Sequence, residues 1–225
     1  SLITQGNDQH FDLDLLDKQL VFGGNTSNKE IKEGIVIFSE IIGRSNQAFV
    51  LSDPELKENI EIGAVKTISN EKFLIAGNTK TDVFVSICTF KGGILEAEAL
   101  RMGFLTGSFK VIKVLYKDPF AYVLAFDTQK NHHFVIKFNM SSINVNQAKI
   151  WIKYIGAGEV ALLKDIVINE EGFLFCGYII EKGKKSEYPI LVSTNEIIDI
   201  CTAENGPKET KDIKPVKFKI SNIEI

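Results

Sequence analysis

An apolar segment running into a small residue recurs along this chain about every fifty residues, and a period of that length confines the fold to stacked or radial arrays of similar units. The four copies are KQLVFGGNTS (18–27), EKFLIAGNTK (71–80), PFAYVLAFDT (119–128) and EGFLFCGYII (171–180), with Gly24, Gly77, Phe126 and Gly177 taken as the equivalent positions. An amphipathic stretch precedes each copy: FDLDLL, GAVKTIS, FKVIKVLY and LLKDIVIN. Two further runs follow in constant order. The first set is GIVIFSE, DVFVSICTF, HFVIKFNM and YPILVST; the second is QAFVLSD, GILEAEALRM, QAKIWIKY and EIIDICTA.

These runs are rich in Val, Ile, Phe and Thr and many of them alternate, the period of a strand. In residues 82–90, Val83, Val85, Ile87 and Thr89 share one face, and Phe84, Ser86, Cys88 and Phe90 share the other. Residues 95–102 alone have a composition that a helix would accept, and their place in the repeat argues for a strand. The expected fold is therefore all-β. Four repeats, at about 10–60, 61–107, 108–156 and 157–203, each form a four-stranded antiparallel sheet. A sheet with two apolar faces must stack on its neighbours, and a radial stack of such sheets is a β-propeller with the repeats as blades. A β-sandwich pair, two domains of two units and an open stack of sheets are the alternatives.

Residues 204–215 hold Gly206, Pro207 and Pro215 among polar residues and read as a linker. In residues 216–225, Val216, Phe218 and Ile220 alternate with Lys217, Lys219 and Ser221, the pattern of a half-buried strand. This strand is expected either to complete the first blade, closing the ring, or to pair with another chain as an assembly strand.

The Gly-ended strand with its Asn-Thr exit, VFGGNTS and LIAGNTK, resembles the blade motif of kelch-like and bacterial β-propeller repeat families. The resemblance spans residues 12–203 and implies the propeller fold. It leaves function open, because propellers serve as enzymes, receptors and scaffolds. Physically, Gly24 and Gly77 permit close backbone approach, and Asn25-Thr26 and Asn78-Thr79 can close a turn with side-chain to backbone bonds.

With 26 basic and 29 acidic residues the net charge is −3, so no positive field draws nucleic acid, which is not an expected partner. The longest apolar run, GIVIFSEIIG, is interrupted by Ser39 and Glu40 and is too short to span a membrane. The chain begins at Ser1, consistent with signal-peptide removal or release from a precursor, and carries Asn-x-Ser/Thr triplets at Asn25 and Asn139. Together these suggest an extracellular protein with glycans at the two asparagines, with the cytoplasm as the alternative. Cys88, Cys176 and Cys201 each sit among strand-forming neighbours and are expected to be buried free thiols, with one disulfide plus one free cysteine as the alternative.

Little points to catalysis. Histidines occur only at positions 10, 132 and 133, and His132-His133 reads as a solvated hairpin loop. Neither a nucleophile elbow nor a phosphate-cradling glycine loop is present. In FDLDLLD, alternation is read as placing Asp12 and Asp14 on the outer face of a strand, opposite Leu13 and Leu15. No cofactor or metal is expected. Sixteen Phe against five Tyr and one Trp favour packing over adaptable binding surfaces. The expected function is a non-catalytic structural or protein-interaction scaffold, self-associating or binding a protein partner. The alternative is a propeller enzyme or carbohydrate-binding module with a central acidic cleft.

Overall fold

The computed structural model describes residues 9–28, 31–40, 46–53, 59–104, 108–129, 132–141, 150–151, 160–180, 187–195 and 210–223. Among them every regular element is a strand, including 95–102. The first sheet holds β1 (Gln9–Leu16), β2 (Gln19–Asn28), β3 (Ile31–Glu40) and β4 (Asn46–Ser52). The second holds β5 (Glu61–Thr67), β6 (Lys72–Asn78), β7 (Asp82–Lys91) and β8 (Ile94–Phe104). The third holds β9 (Phe109–Lys117), β10 (Phe120–Asp127), β11 (His132–Asn139) and the two-residue β12 (Ile150–Trp151). The fourth holds β13 (Val160–Ile168), β14 (Gly172–Ile180) and β15 (Glu187–Asn195); the run 196–203, expected as its next strand, lies outside the described residues. Within each sheet consecutive strands pair antiparallel. Gly92 and Gly93, both at positive φ, make the two-residue turn between β7 and β8, a conformation that side chains resist.

One irregularity appears in all four sheets. The register between first and second strands slips by one residue between His10 and Asp12, between Ile62 and Ala64, between Leu124 and Ala125, and between Leu163 and Asp165. Opposite the slip stand Gly24, Gly77, Ala125 and Gly177, so the third sheet's counterpart of the glycines is Ala125 and not Phe126. The slip bends the first strand over its neighbour. A Cβ on Gly77 would strike the Glu61 carbonyl oxygen, and one on Gly177 the Leu162 carbonyl oxygen.

Alternation then serves two cores at once. In β6, Phe73 and Ile75 pack toward the first sheet with Val36, Phe38 and Leu51, while Leu74 and Ala76 pack toward the third with Val123, Phe134 and Ile136. In β10, Ala121 and Val123 face the second sheet, and Tyr122 and Leu124 face Ile166, Phe173 and Phe175 of the fourth. Each fully buried Phe or Leu contributes about 1.5–3 kcal/mol. The sheets therefore stack in order, with β1 against β5, β5 against β9 and β9 against β13. Among the described residues no comparable contact joins β13 back to β1, and over those residues the four sheets form an open series.

The C-terminal segment lies along the outer edges of the first two sheets. β16 (Thr210–Val216) pairs with β8, and β17 (Lys219–Ile223) pairs with β4. β16 thus begins inside the stretch read as a linker. Pro215, which suggested a loop, is accommodated because β16 is an edge strand whose outer side owes no ladder bond. Val216 is buried, Phe218 and Ile220 pack on the core between the first and second sheets, and Lys217, Lys219 and Ser221 face solvent.

Candidate functional site

The inner edge of the second sheet is capped by carboxylates from the first. Leu13 and Leu15 of β1 are 55% and 48% exposed, and Asp12 and Asp14 turn inward against β5, the reverse of the expected facing. Strict alternation separates two faces without saying which is inner, and here the unpaired N–H groups of edge strand β5 attract the carboxylates. Val65 N–H donates to Asp12 Oδ2 (3.1 Å), and Lys113 Nζ of β9 reaches Asp12 Oδ1 at 3.2 Å. Thr67 donates its N–H and its hydroxyl to Asp14 Oδ2 (2.9 Å each), and Lys66 Nζ adds a third bond at 3.0 Å. Burial acts to raise the pKa of Asp14, but the bonds from the Thr67 and Leu15 N–H groups, Lys66 and the Thr67 hydroxyl outweigh it and hold the carboxyl below its ordinary value. A carboxylate held in that state serves as an anchor for backbone and not as a proton donor at neutral pH.

A second set of bonds joins successive sheets at the register slip. Ile62 N–H donates to Asn25 Oδ1 (2.8 Å), and Val111 N–H donates to Asn78 Oδ1 (3.1 Å). Leu163 N–H, at the matching place in β13, donates to His133 Nε2 (3.1 Å). Where the first two sheets carry Asn after the glycine, the third carries Phe126, and its cross-strand partner His133 supplies the acceptor. The His133 ring lies 4.5 Å from that of Phe126.

The asparagine and histidine readings change accordingly. Asn25 is 3% exposed with its amide nitrogen enclosed, so it is an inter-sheet bonding residue with no room for a glycan. Asn139 is partly exposed at the end of β11, and its Oδ1 accepts bonds from the N–H and hydroxyl of Ser141. His133 is 2% exposed inside a strand, not in a solvated loop. Cys88 is a buried thiol in the core between the first two sheets, its pKa pushed up to about 12 by burial despite a weak bond to Ser86. Cys176, expected to be buried, is exposed on the outer face of β14; Cys201 lies outside the described residues. Val216 is buried, and Phe218 and Ile220 pack on their own chain's core.

Two open surfaces are formed by described residues. Between the hairpin ends of the first and second sheets is a cleft of about 630 Å³, floored by Leu16 and Phe90 and rimmed by Asp17, Glu40, Glu71 and Lys91. The other is the outer face of the fourth sheet, where Leu191 is 68% and Val167 54% exposed alongside Leu174 and Cys176. Nothing in the apolar-strand pattern distinguishes this face from those buried between sheets. Among the described residues no three His, Cys, Asp or Glu are grouped to hold a metal ion, and no helix is long and apolar enough to cross a membrane.

Fold and site define a class: an all-β chain of stacked antiparallel sheets, each fastened to the next by side chains that bond its edge strand. No protein-family profile, curated protein or solved structure matches the chain.

Proposed function

We propose that the four sheets are blades of a propeller-like repeat array, and that the protein is a non-catalytic interaction scaffold which self-associates through the outer face of its fourth sheet. The observation that carries this reading is Leu191, 68% exposed on a sheet of the same construction as three whose apolar faces are covered. Exposed apolar area of that kind marks contact surfaces. At the other end of the series the outer face of the first sheet is buried at Ile35, Ile37 and Ala48, so the fourth sheet presents the exposed end face, and a second copy offers sheets suited to cover it. The C-terminal strand β17 pairs with β4 of its own chain, so in this arrangement it extends the first sheet. The recurrent register slip and the three inter-sheet bonds support the blade reading, since they treat each sheet as the same building unit.

Light scattering coupled to size-exclusion chromatography tests the proposal. The intact chain should elute as a multiple of its own mass, and Leu191→Glu should shift it toward the monomer. A monomeric wild-type protein at all concentrations, or a variant that assembles equally well, would overturn it.

A further inference from the structure

We infer that the cleft between the hairpin ends of the first two sheets receives a basic side chain, arginine foremost, from an exposed peptide segment of a partner protein. This site is separate from the end face of the fourth sheet. At about 630 Å³ the cleft lies in the size range of ligand sites, and its floor is apolar. Leu16 is buried there, and the Phe90 ring stacks on Phe38 with centroids 3.8 Å apart. Such a floor suits the methylene stem of a long side chain, which buries its carbons and keeps its charged head at the rim.

The rim supplies the complementary charge. Glu71 is engaged by Lys91 at 3.3 Å, whereas the carboxylates of Asp17 and Glu40 have no ion-pair or hydrogen-bond partner among the described residues. Lys18, on the same rim, is likewise unpaired, so the uncommitted charge is negative. A guanidinium meets a carboxylate through two parallel bonds, which favours arginine over lysine. The mouth lets a chain cross it: at Gly92 nothing lies within 4 Å of where a Cβ would stand. A peptide therefore fits the opening as well as the floor.

Two-dimensional NMR on the isotopically labelled full chain provides the test, with acetyl-Ala-Arg-Ala-amide as probe. Saturable shifts at Leu16 and Phe90 are expected. The Asp17→Asn, Glu40→Gln double variant should weaken binding about fivefold, and acetyl-Ala-Glu-Ala-amide should give no saturable shift. Unchanged dispersion elsewhere in the spectrum shows that the variant is folded. The inference fails if the arginine peptide gives no saturable shift up to about 10 mM, or if the double variant binds as well as wild type. It also fails if the glutamate peptide binds equally, or if free butylguanidinium binds as tightly as the peptide, which would make this a small-cation site.

Discussion

Three backbone N–H groups, those of Ile62, Val111 and Leu163, stand at the register slips where each sheet meets the one before it, and each would be costly to leave unpaired. Asn25 and Asn78 were visible in the sequence as part of the Gly-Asn-Thr motif, but their role was read as turn closure within one unit. That they reach to the next sheet could not be read from local spacing. The substitution of His133 for the missing Asn was hidden further, because the compensating residue lies across a hairpin from Phe126. If the three bonds are equivalent, His133→Ala should lower the unfolding free energy by about 1–3 kcal/mol. Adding Phe126→Asn, which restores the residue type found at that place in the first two sheets, should recover a substantial part of the loss. Urea denaturation of the two variants and wild type measures both effects, and an unchanged midpoint for His133→Ala would show that the bond contributes nothing.

At the scale of elements, strands were legible wherever apolar and β-branched residues accumulate, since β6, β7 and β10 bury both faces or nearly so and carry the density of such residues that this demands. Strands built from charged and proline-containing sequence were not. β16 reads TKDIKPV, with two lysines, an aspartate and a proline, and its strand character comes from pairing with the edge of β8 rather than from its own preference. Between β16 and β17, Phe218 meets the Phe84 ring edge-on at a centroid distance of 5.1 Å, joining the tail to the core of the second sheet. Phe218→Ala should therefore cost about 2 kcal/mol, less than a fully enclosed Phe because the ring is only partly buried. Lys217→Ala, one residue earlier and pointing to solvent, should leave stability within about 0.5 kcal/mol of wild type. Equal losses in guanidinium unfolding for the two variants would mean that the tail is held by its backbone ladders alone.

For the molecule as a whole, four antiparallel sheets were legible in the order of the apolar runs, while closure was not, because it depends on the angle between stacked sheets and no residue spacing encodes that angle. The open series has an energetic consequence. The second and third sheets are covered on both faces, through Phe73, Ile75, Leu74 and Ala76 of β6 and through Val123 and Leu124 of β10. The fourth gains its packing from one face only, with Leu163, Ile166, Phe173 and Phe175 inward and Leu191 and Val167 in water. In a stacked array stability is close to a sum of unit and nearest-neighbour contributions, so a sheet with one covered face opens at lower free energy than a sheet with two. Hydrogen exchange on the Leu191→Glu variant, chosen so that self-association cannot mask the end, should show β13, β14 and β15 exchanging first, with β6, β7 and β10 protected longest. Uniform protection across all four sheets would require coupling beyond nearest neighbours, and the stack would then behave as one cooperative unit whose ends are no weaker than its middle.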